Sequence, residues 1–440
     1  MPFSRPDRHL SPIRSFLLAC LWTFFFSLLV TPLDAAQWDA EWGGHLRLRG
    51  EAGWPDQRSV YAPFGTDPLV DGSIDLRLKN RVFWGDAVDL ETHYEFIATG
   101  GDTRQKGSAL AGGVLSTSVL TSLSTVNDRR RLMDLTATVD EASGHVAYHR
   151  LDRLALSLRG QRARVTLGRQ ALTWGNGLVF NPMDLFNPFA PTDTDRDYKL
   201  GDDMALVQMP VSPAGDLQLL YVPRRNLQTE NVDWNDSSAA AKLHCAVGTT
   251  EFDVMVSRHY RDYVFGLGAA GYLADAAWRM DATWTRRFGV GGRSEFFSLV
   301  ANLDYSWTWG GKNWYGLMEL FANGLGGDDP AAALADPVMV ERLDRGELFT
   351  LGRAYLAAQL QYEIHPLLNL ALTAITNVAD PCGIFQPRAV WSLTQNTQLT
   401  LGGSLYWGRS GTEFGGFRIV ASGPWIHPSD SAYLRLSFFF

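Results

Sequence analysis

The chain has 440 residues, a formal net charge of −8, 12% aromatic residues and 42 glycines. This acidic balance argues against nucleic-acid binding, which requires a basic surface. After the amino terminus, no segment has the roughly 18 continuous apolar residues of a membrane helix. Short alternating segments separated by Gly, Asn and Asp instead predict an all-β protein, namely a transmembrane antiparallel β-barrel, with a large soluble all-β protein as the alternative.

The amino terminus carries the three parts of an export signal. Arg5, Arg8 and Arg14 form a basic start, residues 16–30 form an apolar run, and small residues precede a cleavage site before Gln37. The run is too short for a transmembrane helix, which needs about 20 apolar residues. Residues 1–36 are therefore predicted to be a cleaved signal peptide, and residues 37–440 the outer-membrane β-barrel.

Candidate strands follow one another along the rest of the chain. They span residues 42–51, 74–84, 87–98, 145–159, 163–174, 203–210, 216–224, 239–248, 250–258, 263–273, 276–286, 295–308, 313–323, 350–364, 366–376, 385–394, 397–408 and 431–440. Short turns alternate with long links, as in outer-membrane barrels, and an even count returns both termini to the periplasm. The prediction is about 18 strands. Residues 99–144 are the least regular part and leave a range of 16 to 20 strands.

The last strand carries a pattern typical of membrane assembly. Its apolar residues share one face, because side chains alternate along a strand; they are Ala432, Leu434, Leu436, Phe438 and Phe440. An apolar face that ends on an aromatic terminal residue resembles the assembly signal of Gram-negative outer-membrane barrels. The predicted location is therefore the cell outer membrane. The expected partners are the barrel-assembly machinery during biogenesis, and outer-membrane lipid and lipopolysaccharide afterwards, with the oligomeric state open.

The same alternation assigns charged side chains to the lumen. The predicted pore-lining residues are Arg47, Arg49, Arg77, Lys79, Arg81, Asp89, Glu91, Glu95, Arg153, Arg159, Arg164 and Arg169. In one interpretation these charges brace the wall through cross-strand pairs, with Arg81 opposite Asp89 or Glu91. In the other they create a field that selects solutes, and the arginines of the fourth and fifth strands favour anions.

Arg169 breaks the alternation of its strand. Strict alternation places it on the lipid face with Val165 and Leu167, where an arginine near the midplane costs roughly 2–4 kcal/mol. Glycine often marks a bulge in a strand. We therefore predict a bulge at Gly168 that turns Arg169 into the pore, beside Arg164 and against the acidic residues of the following loop.

That loop, residues 175–202, is rich in Phe and Pro and is predicted to fold back into the barrel mouth as a constriction. Its predicted site residues are Phe180, Asp184, Phe186, Asp193, Asp195 and Asp197. The last three carboxylates are spaced as in a calcium loop, but Tyr198 and Met204 stand where such a loop has Gly and Glu. Internal salt bridging is the competing interpretation, and no metal is assigned.

Two short patches carry a resemblance to known proteins. The segments Gly168-Arg169-Gln170, Trp174-Gly175 and Asn187-Pro188, and the late segment 411–416, resemble those of poorly characterised porin-like outer-membrane β-barrel proteins. The overall plan is more distantly similar to the alginate-export porin and to substrate-selective porins. The resemblance implies a pore.

Few residues suggest catalysis or a cofactor. The chain has no zinc-ligand spacing, no phosphate-binding Gly loop after a strand and no redox Cys pair, so no cofactor is predicted. Ser257, His259 and Asp262 lie close together in sequence without a catalytic motif around them. The predicted function is a non-enzymatic, porin-like channel for passive diffusion or export of small or anionic solutes. The alternatives are an outer-membrane lipid-modifying enzyme and a structural or surface-interaction barrel.

Overall fold

The computed structural model describes residues 38–440 except 61–67, 112–126, 187, 193–197, 288–293, 421–422 and 424. The predicted signal peptide lies outside the described residues. Within them, no helix is long and apolar enough to cross a membrane.

The described chain forms nineteen strands and three short helices. The strands are β1 (Trp38–Trp54), β2 (Leu69–Trp84), β3 (Val88–Gly101), β4 (Thr136–Ala142), β5 (His145–Arg159), β6 (Arg164–Gln170), β7 (Asp202–Ser212), β8 (Gly215–Val222), β9 (Ser238–Val247), β10 (Thr250–His259), β11 (Asp262–Leu273), β12 (Ala276–Arg287), β13 (Glu295–Trp309), β14 (Lys312–Asn323), β15 (Ala354–His365), β16 (Leu368–Asn377), β17 (Cys382–Ser392), β18 (Thr397–Gly408) and β19 (Asp430–Phe439). The helices are α1 (Asp102–Ala111), α2 (Pro330–Ala335) and α3 (Pro337–Asp344).

The sheet closes into an antiparallel barrel of eighteen strands. Consecutive strands pair around the wall, and β1 pairs with β19 from His45↔Phe439 to Trp54↔Asp430. The nineteenth strand, β4, does not add to the circumference. It pairs with the first half of β5, whereas the short strand β6 pairs with the second half on the same edge. β4 therefore continues the wall beyond the end of β6.

Alternation along each strand separates an apolar outside from a packed or polar inside. On β10, Phe252, Val254 and Val256 are exposed, whereas Met255 between them is 0% exposed. Exposed aromatic rings collect near both ends of the barrel, among them Trp38, Trp42, Trp309 and Trp391 at one end and Trp54, Tyr263 and Trp407 at the other. An apolar band between two aromatic girdles is the exterior of a membrane-spanning barrel.

The two ends of the barrel differ in their connections. One end has tight turns, for example the three residues between β2 and β3 and the two between β9 and β10. The other end, called the upper end below, carries the long loops, including residues 324–353 with α2 and α3. The three-residue turn at Gly85 keeps like faces of β2 and β3 opposite each other.

Each of the eighteen predicted strands overlaps an observed barrel strand. Two of them, 145–159 and 397–408, have the same bounds as β5 and β18. β1 and β2 are longer than predicted, and β2 begins at Leu69 rather than at residue 74. β6 is shorter and ends at Gln170 rather than at residue 174. Its upper end stops where the following loop turns into the barrel. The irregular region 99–144 contributes β4 and α1, so the predicted count of about 18 barrel strands is confirmed.

The last strand has the two faces that the sequence predicts, and it closes the barrel. Leu434, Leu436 and Phe438 are 39–50% exposed, whereas Tyr433 and Ser437 are buried. Phe440 continues beyond the strand: the N–H of Gly44 donates to its carbonyl oxygen at 2.8 Å, and its ring lies so close to Gly44 that a Cβ there would be 2.7 Å away. The end of the chain therefore holds the seam between β1 and β19.

Deleting Phe438 to Phe440 should prevent accumulation of the barrel in the outer membrane. The deletion removes three lipid-facing or seam positions and the hydrogen bonds to Gly44. Quantitative immunoblots of outer-membrane and periplasmic fractions would measure the loss, with Phe440→Trp as an aromatic control that should assemble normally. Normal outer-membrane levels of the truncated chain would contradict the assignment of this strand as an assembly signal.

Candidate functional site

The loop between β6 and β7, residues 171–201, enters the barrel and is called the crossing loop here. Its first limb lies against the inner faces of strands on the far side of the lumen. Phe180 stacks on Phe321 of β14 with ring centroids 4.5 Å apart and lies 5.3 Å from the ring of Tyr355 on β15. Because Phe321 and Tyr355 face inward, the loop lies inside the barrel.

Two buried carboxylates hold this limb by its backbone. Glu319 on β14 accepts hydrogen bonds from the N–H groups of Leu178, Val179 and Phe180 at 2.7, 3.1 and 2.6 Å. Asp281 on β12 accepts from the N–H and the side-chain amide of Asn176 at 2.5 and 2.8 Å. Both carboxylates are at most 1% exposed. Backbone N–H groups that converge on a carboxylate satisfy its charge without a cation.

Glycine permits the tight path of the chain at these contacts. Gly175 has a φ of +91°, in the region that favours glycine. A Cβ at Gly177 would lie 1.8 Å from the carbonyl oxygen of Phe180. The segment can therefore curl around Glu319 and Asp281 only with these two glycines in place.

The middle of the crossing loop buries apolar side chains against the neighbouring strands. Trp174 packs edge-to-face on Phe186 with centroids 5.8 Å apart, and both are at most 2% exposed. Met183 and Leu185 of the loop join this packing. The inner faces of β7 to β11 complete the cluster with Met204, Leu206, Leu220, Val222, Ala240, Met255 and Val264. The Phe and Leu residues of the loop thus bury against the wall rather than against solvent.

The second limb returns across the lumen to the opposite wall. The carbonyl of Thr192 accepts from Gln386 on β17 at 2.8 Å. Tyr198 reaches β1 and β2, where its hydroxyl accepts from Lys79 Nζ at 2.8 Å and its ring stacks on His45 with centroids 5.6 Å apart. Lys199 pairs with Asp184 and so ties the two limbs together. The loop therefore contacts opposite arcs of the barrel.

Charged residues of β2, β3 and β5 form a buried network under this return. Arg77 donates to Glu95 and, at 2.7 Å, to Asp152. Arg153 donates to Asp152 at 2.5 Å and to the carbonyl of Lys199 at 2.7 Å. These side chains are at most 8% exposed. They brace the wall and anchor the end of the crossing loop.

The other predicted pore-lining residues occupy the same inner face, and several of them are more open. Arg81 pairs with Asp89 at 3.0 Å and lies opposite Glu91 in register. Arg164 is 3.3 Å from Asp89. Arg159 is exposed at the end of β5 nearest the tight turns. The predicted loop residues Asp193, Asp195 and Asp197 lie outside the described residues.

A row of inward-facing basic residues lines the arc formed by β19, β1 and β2. Arg49 on β1 lies directly opposite Arg435 on β19, and its guanidinium stacks 4.3 Å from the ring centroid of Tyr433. Arg47 lies one inward position below, 5.7 Å from the ring of Tyr198. Lys79 continues the row on β2. Arg435 was not among the predicted pore-lining residues, although alternation in β19 places it inside.

Arg169 lies in the wall rather than in the open lumen. It is 1% exposed and donates to Asp203 at 2.8 Å and to Asp128 at 3.0 Å. The predicted bulge at Gly168 is wrong, because both ladders of β6 run through this residue without a shift. Gly168 instead has a φ of +119°, which only glycine adopts readily. The acidic partners of Arg169 are thus Asp203 on β7 and Asp128 in a segment distant in sequence.

Residues 127–135, called the upper segment, form that covering layer over the ends of β6 and β7. The carbonyl of Met133 accepts from Arg169 at 2.7 Å, and the N–H of Met133 donates to Asp203 at 2.6 Å. Burial opposes the ionisation of Asp128, yet hydrogen bonding to Arg131 and the charge of Arg169 lower the pKa of its carboxyl. Asp128 therefore stays charged between the two arginines.

A second buried charge cluster lies at the upper end of the barrel, near β10 and β11. Glu347 lies 3.0 Å from His259 and 3.0 Å from Arg342, which also pairs with Asp262 at 2.5 Å. Burial opposes ionisation of Glu347, but His259, Arg342 and Arg345 hold the pKa of Glu347 well below its usual range. The loop that carries α2 and α3 is thereby fixed to the wall.

The three residues considered for catalysis do not act together. Ser257 donates to the carbonyl of Ala239 at 3.4 Å, and Asp262 is engaged by Arg342. His259 instead lies 3.0 Å from Ser238 Oγ. That hydroxyl also accepts from Arg224 at 2.9 Å, and Ser238 is 1% exposed. The arrangement leaves no open face at which a substrate could meet the serine.

Glu319, Asp281 and the upper segment were not among the predicted site residues. Glu319 stands out in the sequence as a lone acid at an inward position of β14, whereas Asp281 lies two residues from Arg279 in β12 and carries no such signal. This signal marks a buried acid, but it does not identify the chain segment that satisfies it.

No protein family and no curated protein matches the chain by sequence. Solved structures do match it along nearly the whole barrel. OccAB3 of Acinetobacter baumannii is 8% identical with a TM-score of 0.53, over 91% of this chain and 99% of that chain. OccAB2 of the same organism is 9% identical with a TM-score of 0.52, over 91% and 98%. A BenF-like porin from Pseudomonas fluorescens Pf-5 is 10% identical with a TM-score of 0.50, over 91% and 98%. The chain therefore has the fold of an outer-membrane porin barrel, as the sequence predicts.

Proposed function

We propose that the protein is a passive channel for small anionic solutes and that the crossing loop sets its narrowest section. The observation that carries the proposal is the loop contacting opposite arcs of an eighteen-stranded barrel, with Tyr198 set against a basic wall. A barrel of this size leaves an aqueous channel unless the lumen is filled. The loop fills part of the lumen, and Tyr198 narrows the remaining path against the basic arc.

The charge of that arc supports the preference for anions. Arg47, Arg49, Arg435 and Lys79 face the lumen from three adjacent strands. Glu51 and Asp75 are the acids beside them on the same faces, and Asp39, Glu41 and Asp71 lie nearer the strand ends. Excess positive charge at a constriction raises the local concentration of anions and lowers that of cations. Solutes then move down their concentration gradient in either direction, because a passive channel uses no energy input.

We propose a channel rather than a lipid-modifying enzyme because Ser257, His259 and Asp262 do not form a catalytic site with one another. Each is engaged in a structural contact at the upper end, and the one serine beside His259 is buried. A lipid-modifying enzyme requires a nucleophile and a base that meet at a surface open to lipid. Among the described residues, the charged side chains fit the wall of a pore better than a catalytic site open to lipid.

The purified barrel should conduct and should prefer anions in planar bilayers. Under a KCl gradient, the reversal potential should have the sign of chloride preference. In the double variant Arg49→Gln/Arg435→Gln, the chloride-to-potassium permeability ratio should fall towards one, because two opposed guanidinium groups leave the same level of the lumen. Arg353→Gln, an exposed arginine of the outer loop, is the matched control and should leave the ratio unchanged.

Two results would contradict this proposal. A folded barrel that inserts but shows no conductance would exclude a channel. Conductance with cation preference in the unaltered protein would exclude the anion preference while leaving the channel itself in place.

A further inference from the structure

Three arginines lie together on the lipid-facing rim of the upper end. Arg258 is the penultimate residue of β10, Arg286 is the penultimate residue of β12, and Arg261 is in the tight connection between β10 and β11. Alternation puts Arg258 on the same face as the exposed Val254 and Val256, and Arg286 on the same face as the exposed Met280. These side chains therefore point away from the lumen.

The strand register brings the three arginines to one place. Arg258 lies opposite Tyr263, and Tyr263 lies opposite Arg286, so the two strand arginines are separated by one strand. Neighbouring strands are about 4.8 Å apart, so their backbones are roughly 10 Å apart and their long side chains can reach one group. Arg261 lies at the rim between them.

An apolar groove of about 490 Å³ runs directly below this cluster on the outer surface. Its floor is formed by the small residues Ala239 and Ala241 of β9, and its walls by Val256, Phe265 and Trp284. The groove reaches Arg258 and Tyr263 at its upper end. Small side chains flanked by aromatic rings make a recess that a hydrocarbon chain fills well.

The arginines are placed to receive a negative charge. Arg258 is pre-oriented, since it stacks 4.6 Å from the ring centroid of Trp234 and donates to the carbonyl of Trp234 at 2.5 Å. Arg286 is 3.6 Å from Glu295, and both of these side chains are about half exposed. Among the described residues, none lies within ion-pair distance of Arg261. Charged groups facing lipid are costly unless an anionic headgroup meets them.

We propose that this surface binds the lipid A part of lipopolysaccharide. A phosphate would lie among Arg258, Arg261 and Arg286, and one acyl chain would occupy the groove floored by Ala239 and Ala241. We choose lipid A because its phosphate and its acyl chain have the same vertical order as this surface. The anion site lies at the rim of the leaflet, and the acyl site lies directly below it. A second copy of the chain could occupy this surface only if it presented both an acidic rim and an apolar ridge.

Native mass spectrometry of the delipidated, detergent-solubilised barrel with added bisphosphorylated lipid A tests this site. The variant Arg258→Gln/Arg261→Gln/Arg286→Gln should weaken lipid A binding about tenfold or more, a change that corresponds to about 1.4 kcal/mol. The triple variant Arg58→Gln/Arg353→Gln/Arg409→Gln removes three exposed arginines from other loops at the same end and should bind normally. Ala241→Phe fills the groove and should also weaken binding.

A comparison that uses only the unaltered protein covers the case in which a variant does not fold. Lipid A lacking both phosphates should bind about tenfold more weakly than the bisphosphorylated form. Unchanged binding in the arginine variant, or equal loss in the two triple variants, would overturn the proposal. It would also be overturned if the added lipid did not bind and the same arginine substitutions dissociated an oligomer, because the surface would then be a protein interface.

Discussion

Replacing residues 176–191 by a short glycine–serine linker should raise the single-channel conductance severalfold while the barrel remains folded. The deletion removes the limb that Glu319 and Asp281 hold against the inner wall, together with Phe180 and Phe186. The strands keep their ladders, since the loop contributes no strand to the barrel. Recordings in planar bilayers would measure the conductance, and heat-dependent gel migration would report whether the barrel is intact.

A matched deletion and a point variant make this result specific. Removing residues 227–231, the tip of the loop between β8 and β9, should leave the conductance unchanged, because these residues are exposed beyond the strand ends. Glu319→Ala should give intermediate or fluctuating conductance, since three backbone N–H groups of the crossing loop then lose their acceptor. If the deletion of residues 176–191 left the conductance unaltered, the narrowest section would have to lie elsewhere.

Arg169→Ala should destabilise the barrel by about 3–5 kcal/mol, because Asp128 and Asp203 are left buried without their common cation. The side chain is 1% exposed and also donates to the carbonyl of Met133. Urea titration of the barrel refolded into lipid vesicles would measure the free energy of unfolding. Arg164→Ala is the control and should cost about 1 kcal/mol or less, since its pair with Asp89 is partly exposed.

A conservative variant separates charge from geometry at the same position. Arg169→Lys keeps the positive charge but cannot donate to Asp128, Asp203 and Met133 from three nitrogens at once. It should recover only part of the lost stability. An Arg169→Ala barrel that unfolded at higher urea than the unaltered protein would mean that the arginine faces lipid after all.

Alternation carries most of the information about this fold. Inward and outward faces are chemically distinct in strands such as β10 and β19, so period and turn length are enough to locate them. β6 was predicted too long because Leu172 and Trp174 continue the apolar alternation into the crossing loop. The apolar content of that loop indicated burial, but against a surface that only the closed barrel creates.

Contacts between distant segments could not be read from the chain. Asp128 is 41 residues from Arg169, and Glu319 is 139 residues from Phe180. Nothing in the local pattern of either acid specifies its partner, because the pairing depends on the circumference and stagger of the barrel. The prediction of a bulge at Gly168 was wrong for the same reason. Arg169 needed a buried acidic partner, and the nearby sequence offered only the acids of the following loop.

The position of the upper segment bears on the order in which the barrel is assembled. The crossing loop leaves β6 at Gln170 and returns to β7 at Asp202, and the upper segment contacts both strand ends through Arg169 and Asp203. These ends are made before the strands that anchor the loop inside the lumen, since Asp281 and Glu319 lie on β12 and β14. The loop can therefore take its final position only after β12 and β14 have joined the sheet. Its anchors on separate parts of the wall favour a fixed constriction over a hinged gate.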